Sequence, residues 1–269
     1  MRRIFYLNVW VAAIFLASCG GGAEKKTEEP EFNDKLESFA EEVFDYPIPT
    51  SYQVTNMLLK ANANYVFDIT NDPANVNNYV AEWQKAMNLG VYGADLSYSS
   101  TYNRQEETVK FLDVSRQLIE DLNIGTAFNA SMVNRIESNI ENKDSLILII
   151  TESFHDTYNH LNKNGQEKNS ILVIAGSVIE GLHITAQLVI SSDYNEELLT
   201  VLANQKTQVK KLVELMEAHA EDENVNKVLP KLRFIDLFYD QLGDDTIISR
   251  GQFEDIYNSI KDMRKTVIG

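Results

Sequence analysis

Cysteine occurs once in 269 residues, which excludes a disulfide framework, a cysteine zinc site and an iron–sulfur cluster ligated within one chain. Five prolines and twelve glycines are too few for a fibrous or low-complexity chain. Positive charge is also scarce. There are 24 Lys plus Arg against 40 Asp plus Glu, a formal net charge of -16, so a nucleic-acid binder working through a basic surface is excluded. The chain has no Gly-x-x-x-x-Gly-Lys phosphate loop, no His-Glu-x-x-His and no Gly-x-Ser-x-Gly elbow. Ser177 lies in Ala-Gly-Ser-Val-Ile, which lacks the second glycine, so a serine hydrolase has no support. What is present suffices for a core: 44% of residues are apolar and 24% charged, as in ordinary globular chains.

The first residues read Met-Arg-Arg, then a nearly unbroken apolar stretch from Ile4 to Leu16, then Leu16-Ala17-Ser18-Cys19. A basic head, an apolar run too short to span a bilayer comfortably and small residues at its end describe a secretory signal over 1–18. Leu16-Ala17-Ser18-Cys19 resembles the lipobox of bacterial lipoproteins, and the sole cysteine stands at the position that motif requires. The resemblance implies cleavage before Cys19 and acylation of Cys19, with attachment to the membrane through N-terminal acyl chains. Gly20 follows where inner-membrane lipoproteins often carry Asp, which implies an outer-membrane lipoprotein, periplasmic or surface-facing. Loss of Arg2 and Arg3 leaves 22 basic against 40 acidic residues, about -18, and such a body is repelled by anionic lipid, so the acyl chains must hold it. Residues 19–45, opened by Gly20-Gly21-Gly22 and rich in charge, read as a flexible tether.

From 46 to 269 the signals are helical, and the expected fold class is all-α, a single bundle of roughly eight or nine helices. Thr50 with Gln53 has capping-box spacing, and Asp72-Pro73 offers an N-cap and first-turn proline before Val76, Tyr79, Val80 and Trp83. Glu106 to Leu122 has helical periodicity closed by Ile124-Gly125, a further helix is expected from Thr126 to Asn142, and Ser145 to Leu161 stops at Asn164-Gly165. Asp193 with Glu196 is expected to cap one long helix through Met216. Pro230 delays or kinks the helix that ends at Leu242-Gly243, and Ser249 with Gln252 caps the last one. Ile171 to Ile190 could open as a buried strand, but its length and the lack of a second strand favour a central helix. Glu180, His183 and Gln187 disfavour a membrane span there. Pro47-Ile48-Pro49-Thr50 and the run from Asn88 to Leu96 resemble segments of helical lipoproteins of Gram-negative envelopes, a likeness that implies no activity.

Three groups of residues could carry chemistry. On the central helix, Val173, Gly176, Glu180, His183 and Gln187 share one stripe, either a polar cavity or a solvent face. If it is merely structural, Glu180→Leu should leave stability unchanged or raised. Glu152-x-x-His155 and Glu180-x-x-His183 repeat the spacing that carboxylate-bridged two-metal bundles use. They are the candidate ligands of a transition metal in a metal-binding or oxidoreductase reading, although Glu152 and His155 fall nearly opposite an apolar face. The third group is Asn88, Tyr92, Asp95, Ser99 and Tyr102, with Tyr98 beside it. Tyr92, Asp95, Tyr98 and Tyr102 could line a pocket for a small polar or cationic ligand; the competing reading is close packing over Gly90 and Gly93. His160 and His219 are expected to be solvated. The leading expectation is a non-enzymatic, cofactor-free binding or structural domain facing an envelope protein or a small polar ligand.

Overall fold

The computed structural model describes residues 51–124, 134–136, 138–243 and 248–269. The signal segment, Cys19, the tether, Thr50 and most of the helix expected over 126–142 lie outside the described residues. The chain is all-α, with no strand among the described residues. Helix α1 is Ser51–Lys60, and a 3-10 turn spans Pro73–Asn78. Helices α2 (Glu82–Thr101), α3 (Gln105–Asp121), α4 (Lys143–Lys163) and α5 (Glu167–Ser191) follow. After them come α6 (Glu196–Ala203), α7 (Lys206–Glu217), the short α8 (Glu223–Asn226), α9 (Leu229–Asp240) and α10 (Arg250–Ile268).

Helices α2 and α5 form the centre. They make the most extensive contact in the fold, and α5 also packs against α1, α4, α6, α7 and α10. The stretch Ile171 to Ile190 is therefore helical throughout, and its apolar character reflects burial inside a bundle rather than in a sheet. From Ala86 to Thr101, α2 is buried on every side. Its serine and threonine hydroxyls find local acceptors: Ser97 donates to the Gly93 carbonyl at 3.0 Å and Thr101 to the Ser97 carbonyl at 2.6 Å, so these polar side chains can sit in the core without orphaned donors.

Two glycines set the distance between these helices. A Cβ on Gly90 would overlap the Val173 carbonyl oxygen and come within 2.7 Å of the Ser177 nitrogen. A Cβ on Gly176 would overlap the Met87 carbonyl oxygen. The reciprocal Gly90 and Gly176 contacts bring backbone against backbone, and Gly93 accepts the Phe154 ring of α4 in the same way.

Helix ends depart from the sequence expectation in instructive ways. Asp72 caps as predicted, accepting from the Ala74 amide at 2.9 Å, but it starts only the 3-10 turn. The α-helix begins later, at Glu82, and Val80 is exposed. The long helix expected from Asp193 is two helices, capped by Asn195, whose side chain accepts from the Glu197 and Leu198 amides. Asp193 itself has φ +54 and belongs to the end of α5. Five helices stop alike, with a left-handed residue followed by an amide that reaches back five residues; after α5 that next residue, Tyr194, is left-handed as well. The left-handed residues are Asn62, Asn103, Asn123, Gly165 and Asp193, and the bonds are Ala63 N to Leu58 O, Arg104 N to Ser99 O, Ile124 N to Ile119 O, Gln166 N to Leu161 O and Tyr194 N to Val189 O. Asparagine tolerates this conformation better than other side-chain-bearing residues, so Asn123 closes α3 rather than Gly125. The capping box of Ser249 and Gln252 forms as expected, and Pro230 sits in the first turn of α9.

Candidate functional site

The close approach of α2 and α5 turns two stripes toward one place. Asn88, Tyr92 and Asp95 on α2 meet Glu180 and His183 on α5, and α10 brings in Arg264. Arg264 Nε donates to Glu180 Oε2 and Nη2 to Glu180 Oε1, both at 2.7 Å. Glu180 is fully buried and the Arg264 side chain is 13% exposed, so this is a forked ion pair removed from water. Gln187 donates to the Tyr257 hydroxyl at 3.2 Å. The residues 180 and 187 thus meet 264 and 257, and α5 runs antiparallel to α10 through paired polar links.

Asp95 lies fully buried beside this pair. Its Oδ2 accepts from the Asn71 backbone amide at 3.1 Å, while Oδ1 faces no donor and the carboxyl feels the charge of Glu180. Two buried carboxylates this close disfavour each other's charge, and Asp95, which has no cation bound to it among the described residues, is the one whose charged form is disfavoured. Burial, reinforced by the Glu180 charge and opposed by Arg264, pushes its pKa well above the ordinary carboxyl value. His183 Nε2 faces the Ile69 carbonyl at 3.1 Å, which places the ring proton on Nε2 and leaves Nδ1 buried without a donor. Burial lowers the His183 pKa, with Arg264 also lowering it and Glu180 opposing, so the imidazole is neutral. The cluster is one cation, one anion and two neutral acids and bases.

Asn71 links it to the preceding loop. Its side-chain Nδ2 donates to the Tyr79 hydroxyl at 2.8 Å and to Asn88 Oδ1 at 3.3 Å, and Asn88 Nδ2 in turn donates to the Val267 carbonyl at 2.9 Å. The tyrosines expected to face a ligand are occupied by the same loop. The Tyr92 hydroxyl donates to the Asp72 carbonyl at 2.9 Å, Tyr98 accepts from the Val66 amide at 2.8 Å, and Tyr102 donates to the Ala63 carbonyl at 2.9 Å. Tyr65 stacks on Tyr98 with centroids 4.8 Å apart, and the Arg104 guanidinium lies 4.7 Å from the Phe67 centroid. Residues 62–79 are a strap that three phenols fasten to α2.

The two Glu-x-x-His pairs are not brought together. Glu152 accepts from Arg135 at 2.8 Å near the surface. His155 lies near the Asn159 amide and has a side chain only 11% exposed, so the low burial expected for it is corrected. Glu180 is held by Arg264 instead. Among the described residues no group of three or more His, Cys, Asp or Glu side chains is arranged to hold a metal ion. His219 is likewise less solvated than expected, 3.7 Å from Glu167 with a side chain 19% exposed. No family model, curated protein or solved structure matches the chain. Its chemistry must be read from its own side chains.

Proposed function

We propose that the chain is an acyl-anchored cell-envelope lipoprotein whose helical body is a non-enzymatic binding or structural domain. Leu16-Ala17-Ser18-Cys19 supports the anchor, and the strongly acidic body favours acyl chains over lipid headgroups as the means of attachment. The observation that carries the reading of the body is the engagement of Glu180, whose two oxygens are both taken by Arg264. Asp95 and His183 are buried beside it, and the tyrosine hydroxyls are spent on main-chain atoms of the strap. Groups with perturbed acidity mark candidate active sites when they face a cleft; here they face one another. A metal-carboxylate centre would require Glu152 and Glu180 to leave their arginines, at the cost of an unpaired buried cation at Arg264.

Replacing Cys19 by Ala should move the protein from the membrane fraction to the soluble fraction and remove the acyl mass. Unchanged detergent partitioning, with no mass difference between the two forms, would refute the anchor. Metal analysis of the purified full chain tests the body: one or two equivalents of a transition metal, lost in Glu180→Gln, would refute the non-enzymatic reading in favour of a metal centre.

A further inference from the structure

Helix α9 is more apolar than its burial requires. Leu229, Leu232, Ile235 and Tyr239 face the core, yet Phe234 and Leu237 are 54% and 52% exposed on the other side. Phe234 and Phe238 pack edge to face at 4.9 Å, and with Pro230 they form one wall of a groove of about 460 Å³. The opposite wall is Asp255, Asn258, Ser259 and Asp262 of α10. Lys231 pairs with Asp262 across one end. Asp255, at the other end, has no cation within ion-pairing distance among the described residues.

We infer that this groove receives an amphipathic helix of another protein, with apolar anchors on one face and Lys or Arg along the flank. The geometry suits a helix because Pro230, Phe234 and Phe238 recur at one-turn spacing and the wall they form is roughly two turns long. Charge selects the partner. With Asp262 already paired to Lys231, the open Asp255 carboxylate favours a basic flank, and half-exposed apolar side chains beside it suit a ligand that is both apolar and cationic. A second copy would set Asp255 against an equally acidic chain of net charge -16. The tether carries nine acidic residues against Lys25, Lys26 and Lys35 and is disfavoured for the same reason, as is an anionic lipid surface. The inference deepens the binding-domain reading but requires only the folded body, so it holds or fails independently of Cys19.

The probe is a synthetic helical peptide of about four turns with Leu at one-turn spacing and Lys on both flanks. It is titrated by fluorescence anisotropy against the full chain held in a nonionic detergent, beside a peptide with Glu in place of Lys. The Lys peptide should bind and the Glu peptide should not. Phe234→Ala should weaken binding about tenfold or more, and Asp255→Lys about threefold or more with a flatter salt dependence. Asp255→Lys is a surface change, so unchanged helical dichroism keeps the test valid if Phe234→Ala disturbs folding. Equal affinity of both variants and the parent, no binding of the Lys peptide, or equal binding of the Glu peptide would overturn the proposal. Self-association or binding to anionic vesicles that disappears in Phe234→Ala would overturn it too, assigning the groove to a second copy or to a membrane.

Discussion

Replacing Glu180 by Leu takes away the only carboxylate among the described residues that is bound to the Arg264 guanidinium. From the sequence, with Glu180 read as an unpartnered polar group, the change should be harmless. In the structure it leaves a largely buried cation whose remaining contact is the Ile69 carbonyl at 3.4 Å. Breaking a buried pair from one side costs about 3–5 kcal/mol. Asp95 sets the lower end of that range. Once Glu180 is gone, burial still raises the Asp95 pKa but the Glu180 charge no longer adds to it, and Asp95 is freer to ionise toward Arg264. Removing both partners has a different sign, because Glu180→Leu with Arg264→Met replaces two desolvated charges by apolar volume. Such exchanges are often neutral or stabilising by about 1–4 kcal/mol. Urea denaturation at neutral pH, followed by helical dichroism, should therefore place Glu180→Leu about 3 kcal/mol or more below the parent, and the double variant within about 1 kcal/mol of the parent or above it. A single variant within about 0.5 kcal/mol of the parent would refute the reasoning, as would a double variant whose loss equals the sum of the two single losses.

Gly176→Ala drives a Cβ into the Met87 carbonyl and should destabilise by about 1–3 kcal/mol. Gly181→Ala, in the same helix but with nothing within 4 Å of its Cβ, should stabilise by roughly 0.5–1 kcal/mol; equal effects at the two positions by thermal denaturation would contradict the packing described. Because the Asp95 pKa is raised on folding, the unfolded chain loses this proton first as pH rises. The folded state is then penalised from the ordinary carboxyl range upward. Asp95→Asn keeps a donor toward Glu180 and cannot ionise, so its stability relative to the parent should be greater at pH 8 than at pH 4. A gap independent of pH in denaturation at the two values would remove Asp95 from the proton balance.

The helices were legible because their periodicity and caps are local properties. Ser249 with Gln252 and the stop at Asn164-Gly165 needed only neighbouring residues to be read. Asn62, Asn103 and Asn123 are weak terminator signals in the sequence because glycine is the stronger expected one, although asparagine reaches the same backbone conformation. Each polar stripe was also visible alone, from the spacing of Glu180 with His183 and of Tyr92 with Asp95. Their juxtaposition was not, since it depends on Gly90 and Gly176 fitting each other across a long stretch of chain. Arg264 left a fainter trace: it lies one turn beyond Ile260 and beside Met263 and Val267, a cation next to core positions of an amphipathic helix. The purpose of the tyrosines could not be read from their spacing, because their partners are main-chain atoms of the strap, which every sequence offers.

The hydrogen bonds from Asn88 to Val267 and from Arg264 to Ile69 join positions 179 and 195 residues apart. Such links make topology expensive, because most of the chain must be threaded and closed before they contribute anything. Until α10 arrives, Asp95 and Glu180 occupy the interface of the two central helices without a cation between them, so an assembly of 51–243 alone is electrostatically incomplete. The last helix acts as a keystone: native packing of the strap around Ile69 and of the central pair is conditional on it, and the body is expected to open as one unit rather than fray into halves.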